Sequence, residues 1–246
     1  MAAPIALITG AAQRLGAATS THFHQQGYDI IIHYHRSAEK AEALAQRLNK
    51  ERSHSARVIK ADLTDKESIQ TLIEYIHEQA GQLDVLVNNA SQFYPTPLSQ
   101  ATPEAWNELM DSNLKAPFLL IQGLVTLLRK SPVASVVNMI DIYAEHTLPE
   151  HSIYCAAKAG LQALTRNLAQ DLGPHIRVNG VAPGAILWPE GGQANANSIV
   201  QATPLKRCGT PEEIAQAVFW LATQATFITG HTLPVDGGRS LTLGGH

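Results

Sequence analysis

The sequence has little cysteine: Cys155 and Cys208 are its two, too few for a disulfide framework, and nothing in it asks for an oxidising compartment. It has no surplus of basic charge. The formal net charge of −3 and pI near 6.4 leave no positive field for nucleic acid. No apolar run approaches the length of a membrane span. The opening Ile5-Ala6-Leu7-Ile8 lacks the basic leader of a secretion signal, and Gln13-Arg14 interrupt it early. Internal repeats, low-complexity tracts and long polar linkers are missing too. These absences lead us to expect one cytoplasmic domain over residues 1–246, with a small-molecule ligand and neither nucleic acid nor membrane as partner.

A 45% hydrophobic share over 246 residues is enough for one large core. Short runs rich in Val, Ile and Leu alternate with amphipathic stretches. Strands are expected near Ile5–Thr9, Asp29–Tyr34, Arg57–Lys60, Asp84–Asn88, Ser135–Ile140, Arg177–Val181 and Thr232–Val235. Most do not alternate apolar with polar, as parallel strands covered on both faces should not. Helix starts are marked by Thr64-Asp65-Lys66-Glu67, read as a capping box, and by Thr102-Pro103 and Thr210-Pro211. The expected fold is α/β: a single doubly wound Rossmann domain, with a seven-stranded parallel sheet flanked by helices.

Ligands of such a sheet gather beyond the carboxyl ends of its strands. The first turn there reads Thr9-Gly10-Ala11-Ala12-Gln13-Arg14-Leu15-Gly16. Gly10 permits a sharp exit, the alanines let a phosphate approach, and the following helix start offers N–H groups to a pyrophosphate. An NAD enzyme usually has a carboxylate after the second strand. Here that strand runs into His33-Tyr34-His35-Arg36-Ser37. A guanidinium and a hydroxyl suit a 2′-phosphate, and so NADPH; otherwise Arg36 is a solvated loop residue. The pairs His22/His24 and His33/His35 lack further ligands at metal spacing and read as ordinary polar histidines, so no metal is expected. After the fourth strand, Asn88-Asn89-Ala90-Ser91 could line the nicotinamide side of the cleft. Tyr154 and Lys158, four apart, share a helix face. An ammonium there would lower the phenol below its ordinary value of about 10.

These pieces, with Asp62-Leu63, Asn113, Val178-Asn179, Pro183-Gly184 and Asp236-Gly237-Gly238, resemble the short-chain dehydrogenase/reductase family over nearly the whole length. The resemblance implies that Tyr154 is the catalytic acid and that Lys158 holds the nicotinamide ribose. It further implies that Asn113 anchors a water relay and that Asp62 and Leu63 meet the adenine, in a homotetramer. Two departures narrow the subgroup: Arg14 where most of the family has glycine, and Asp141 where it has serine. An ionised carboxylate cannot donate a hydrogen bond and repels a developing alkoxide. It favours a nitrogen centre instead, unless Asp141 merely caps a turn or points away.

Both departures resemble the pteridine reductases, as do Tyr34-His35-Arg36-Ser37-Ala38 and Asn89-Ala90-Ser91-x-Phe93-Tyr94-Pro95-Thr96-Pro97. That resemblance implies NADPH-dependent reduction of a pterin or folate. Phe93 would stack on the pterin, Ser91 and Arg14 would touch pterin and cofactor, and Asp141 and Tyr154 would deliver the proton. Read from sequence position alone, Phe93 is either a stacking ring or a packing anchor. Leu148 and Trp188 would form pocket walls, and Leu187 to Thr203 a mobile covering loop. The competing readings are a dihydromonapterin reductase, a carbonyl reductase on the same fold, and a non-catalytic NADPH sensor.

Overall fold

A computed structural model describes residues 3–186 and 196–243. Seven strands lie in one sheet: β1 (Ile5–Ile8), β2 (Asp29–Tyr34), β3 (Ala56–Lys60), β4 (Val85–Asn88), β5 (Ser135–Met139), β6 (Arg177–Pro183) and β7 (Thr232–Val235). Their order is β3-β2-β1-β4-β5-β6-β7, and every pairing is parallel. The order reverses between β1 and β4, which opens a crevice at their carboxyl ends.

Strand alternation sorts the core onto two faces. Ala6, Ile8, Ile30, Ile32, Val85 and Val87 point to one face. Helices α1 (Arg14–Gln25), α2 (Ala38–Glu51) and α8 (Pro211–Thr223) bury Phe23, Leu48 and Ile214 there. Leu7, Ile31 and Leu86 point the other way. They meet Leu72 and Ile76 of α3 (Lys66–Gln79) and Leu120 and Leu124 of α5 (Ala116–Leu128). Both faces are therefore covered by apolar residues, which is why the strands read as unbroken hydrophobic runs.

Local chemistry sets the helix starts. Thr210 and Glu213 form a reciprocal capping box at α8, and Thr102 accepts from the Ala105 N–H at α4 (Pro103–Met110). At α3 the cap is one residue later than the sequence suggests. Asp65 accepts from the Ser68 N–H at 2.8 Å, while the Thr64 hydroxyl donates to Asp62 at 2.7 Å. Between α4 and α5 the chain makes a π-helical turn, Asp111–Lys115. Helix α6 (Ser152–Leu172) carries Tyr154 and Lys158 toward the sheet, and α7 spans Ala196–Ala202. No helix among the described residues is long and apolar enough to cross a membrane.

Candidate active site

The carboxyl ends of the strands surround a cleft of about 690 Å³. The turn after β1 contributes Gly10, Arg14 and Leu15; the ends of β2 and β3 contribute His35, Arg36, Ser37, Asp62 and Leu63. From beyond β4 come Asn89, Ala90, Ser91 and Phe93, and from beyond β5 come Asp141 and Leu148. Tyr154, Lys158, Pro183 and Gly184 complete the set that the sequence pointed to. Asn113 sits behind the wall, fully buried. Trp188 lies outside the described residues. So does most of the expected covering loop, whose final part is instead the helix α7, with Ile199 reaching the cleft.

At the nucleotide end, Gly10 has a left-handed backbone, φ +60°, and a Cβ there would come 2.9 Å from the Ala90 Cα. Only glycine combines that conformation with that approach. Its N–H is engaged within the protein. It donates to the His33 Nδ1 at 3.1 Å, and the Ala11 N–H donates to the His33 carbonyl at 2.8 Å. Nδ1 is thus an acceptor, so Nε2 carries the proton and donates to the Ala61 carbonyl at 3.1 Å. Burial pushes His33 down to about 4, which keeps it neutral. Further along the same turn, Arg14 also has a left-handed backbone, φ 54°, and lines the cleft.

The Asn89 amide staples this turn at the cleft wall: Nδ2 donates to the carbonyls of Thr9 and Gly10 at 2.8 and 3.1 Å. Asn88 is buried and donates to Asn138 at 2.8 Å, away from the cleft. His35 lies 3.4 Å from Asp62, whose carboxylate also accepts from Thr64. Arg36 is exposed and forms no ion pair among the described residues. The end of β2 therefore presents an exposed guanidinium, its charge felt at Asp62, next in sequence to the Ser37 hydroxyl, a donor set that fits a phosphate.

At the other end, the Tyr154 hydroxyl donates to Asp141 Oδ2 at 2.8 Å, and the Tyr143 N–H donates to Oδ1 at 3.0 Å. Asp141 therefore caps a turn and engages the tyrosine together. Tyr154 is buried and Asp141 is half-buried. Burial raises the Asp141 carboxyl, against the opposing pull of its two donors and of Lys158. Burial and the adjacent carboxylate raise Tyr154 well above the usual phenol range. The sequence reading expected the lysine to lower it. The Lys158 ammonium instead donates to the Met139 carbonyl at 2.8 Å and lies 5.7 Å from the phenol ring centroid. Burial also brings Lys158 itself down to about 8. The phenol proton is held, not released, in this arrangement.

Asn113 joins the site through Ser91, whose hydroxyl donates to Asn113 Oδ1 at 2.6 Å. Asn113 Nδ2 donates to the carbonyls of Gln92 and Leu109 at 2.9 and 3.0 Å, tying the π-helical turn to the loop after β4. Phe93 is 48% exposed on that loop. One face of its ring stacks on His151 at 4.8 Å between centroids, and it meets Tyr154 edge-on at the same separation.

Sequence reasoning missed four participants. His33 was legible only as a histidine closing the apolar run Ile30-Ile31-Ile32. Tyr143 and His151 flank Asp141 and Tyr154 without any motif of their own. Arg239 follows Asp236-Gly237-Gly238 and lines the cleft from beyond β7.

The family model described as enoyl-(acyl carrier protein) reductase matches residues 10–240. Pteridine reductase 1 of Leishmania tarentolae is 34% identical, over 98% of this chain and 97% of that protein. A Streptomyces violaceoruber protein assigned as ketoacyl reductase 2 of a granaticin polyketide synthase is 35% identical over 97% of both chains. A 3-oxoacyl-[acyl-carrier-protein] reductase of Synechocystis is 32% identical over 97% of both.

Proposed function

This chain belongs to the short-chain dehydrogenase/reductase family of oxidoreductases, and from that premise we propose that it reduces dihydropterins to tetrahydropterins with NADPH. The observation that carries the reading is the Asp141–Tyr154 pair: a carboxylate, not a hydroxyl, accepts the tyrosine's hydrogen bond at 2.8 Å. A 3-oxoacyl reductase must support negative charge developing on oxygen, and a buried carboxylate opposes that charge. A pterin C=N bond instead gains a proton on nitrogen, and the same carboxylate favours N–H groups and cationic nitrogen.

The residues fit the cofactor. Arg36 and Ser37 would hold the 2′-phosphate, Asp62 and Leu63 would meet the adenine, and Lys158 would hold the nicotinamide ribose. When bound, NADPH supplies the hydride. Phe93 offers its open face to a flat heterocycle, backed by His151. Tyr154 holds a proton on its phenol oxygen, and Asp141 fixes the direction in which that oxygen points. The proton that leaves Tyr154 goes to the ring nitrogen, and the buried Lys158 ammonium offsets the phenolate left behind. Leu148 lines the cleft beside the Asp141 turn.

The names of the relatives set the test. We expect efficient turnover of 7,8-dihydrobiopterin and poor turnover of 3-oxoacyl thioesters, measured as kcat/KM from nicotinamide absorbance. Asp141→Ser should lose dihydropterin reduction by about 100-fold while keeping fold and NADPH affinity. A native enzyme that ignores every pterin and folate and reduces 3-oxoacyl thioesters well would leave only the oxidoreductase class standing.

A further inference from the structure

The cleft holds a cation that neither the nucleotide end nor the proton-delivery pair uses. Arg239 opens a short 3-10 turn, Arg239–Thr242, directly after Gly237 and Gly238, both with left-handed backbones at φ 63° and 83°. This glycine pair turns the chain leaving β7 back toward the cleft, which Arg239 lines together with Asp141 and Tyr154. Its charge is felt at the Tyr143 phenol, two residues from Asp141, where it favours the ionised form.

No carboxylate answers this charge among the described residues. Asp236, the nearest acid in sequence, is occupied by the N–H groups of Gly238 and Ser240 at 2.9 and 2.7 Å. The Arg239 Nη1 donates to the Thr242 hydroxyl at 3.0 Å, and its Nε is buried without a partner. A guanidinium N–H shut away from water without an acceptor is costly, so the protein's own groups leave this cation incompletely satisfied. Nor can Arg239 serve the phosphate expected at Arg36. β2 and β7 are five strand positions apart in the sheet, roughly 24 Å at about 4.8 Å per strand.

We propose that Arg239 is an anion subsite at the substrate end of the cleft, taking a carboxylate that the substrate carries beyond its reacting ring. A planar guanidinium matches a carboxylate through paired N–H donors. Resting on the pterin reading, this assigns the preferred substrates to pterins with an acidic tail, the folate type, over those with a neutral side chain.

The test compares 7,8-dihydrofolate with 7,8-dihydrobiopterin in native protein, Arg239→Met and Arg239→Lys. It adds calorimetric binding of p-aminobenzoylglutamate to the NADPH-loaded protein. In Arg239→Met the dihydrofolate-to-dihydrobiopterin ratio of kcat/KM should fall about tenfold, through KM rather than kcat, with partial recovery in Arg239→Lys. The p-aminobenzoylglutamate affinity should fall by a similar factor. Equal losses for both substrates would show that Arg239 only supports the turn, and would overturn the proposal. Should the native protein reduce no pterin, the pterin reading fails by itself. Binding of p-aminobenzoylglutamate then decides the subsite: weaker in Arg239→Met sustains it, and unchanged or absent binding overturns it.

Discussion

Tyr154 and Asp141 show how burial reverses an expectation drawn from spacing. Four residues of helix bring a lysine to the same face as a tyrosine, and that much is legible in the sequence. The distance from Lys158 Nζ to the phenol, and the Met139 carbonyl that holds it, depend on tertiary packing. Nor does spacing reveal that the carboxylate at position 141 lies within hydrogen-bond reach of the phenol. The result is a phenol that keeps its proton through neutral pH, with Asp141 rather than Lys158 as its immediate partner. Tyr154→Phe removes the hydroxyl and leaves the ring. It should lower turnover by about 100-fold or more while NADPH binding, followed by fluorescence titration, stays intact. Normal turnover in that variant would remove Tyr154 from proton delivery. Asp141 and Phe93 could be singled out in advance because each is chemically unusual at a recognisable position. Arg239 could not, because a lone arginine after a glycine pair carries no pattern.

At the scale of elements, strands and helix starts were largely readable, since apolar runs and capping chemistry are local. The π-helical turn was not, because Asn113 takes the Leu109 carbonyl through its side chain and no periodicity records that. The His33 bridge also escaped notice: it joins β2 to the turn after β1 and to the residue after β3. Its pH consequence can be worked out. The folded His33 is depressed to about 4 from 6.5, so its contribution to stability is complete above pH 6.5. It is lost as pH falls toward 4, because the unfolded chain takes up the proton first. The loss amounts to roughly 3 kcal/mol. Burial is the main cause, with the His35 charge adding to the depression and the Ala61 carbonyl and Asp62 opposing it. Protonation would also set an N–H against the Gly10 N–H. Urea titrations at pH 7 and pH 5 should show this acid sensitivity, and His33→Gln should flatten it. An equally steep profile in that variant would assign the effect to other groups.

Across the whole molecule, opposite ends of one cleft are set by opposite sides of one sheet. The end we assign to the cofactor rests on β1, β2 and β3, all within the first 60 residues, and the end we assign to the substrate on β5, β6 and β7. Exchanging the charge at Arg36 should therefore change cofactor choice without redirecting substrate choice. Arg36→Asp should reverse the preference for NADPH over NADH, measured as the ratio of their dissociation constants. Equal affinity of the native protein for both would refute the phosphate assignment at that strand end.

The position of β7 has a consequence for how such a protein can diverge. β7, like β3, is an edge strand paired on one side only, and none of its residues is fully buried, whereas β1 and β4 are enclosed on both sides. A substitution behind Gly10 or Asn89 disturbs tightly packed strands and exacts a penalty in folding before it alters chemistry. One at Arg239, half-buried past the two left-handed glycines, can alter the chemistry directly. A change at that edge can thus redirect what is reduced while the opposite edge keeps the same reductant.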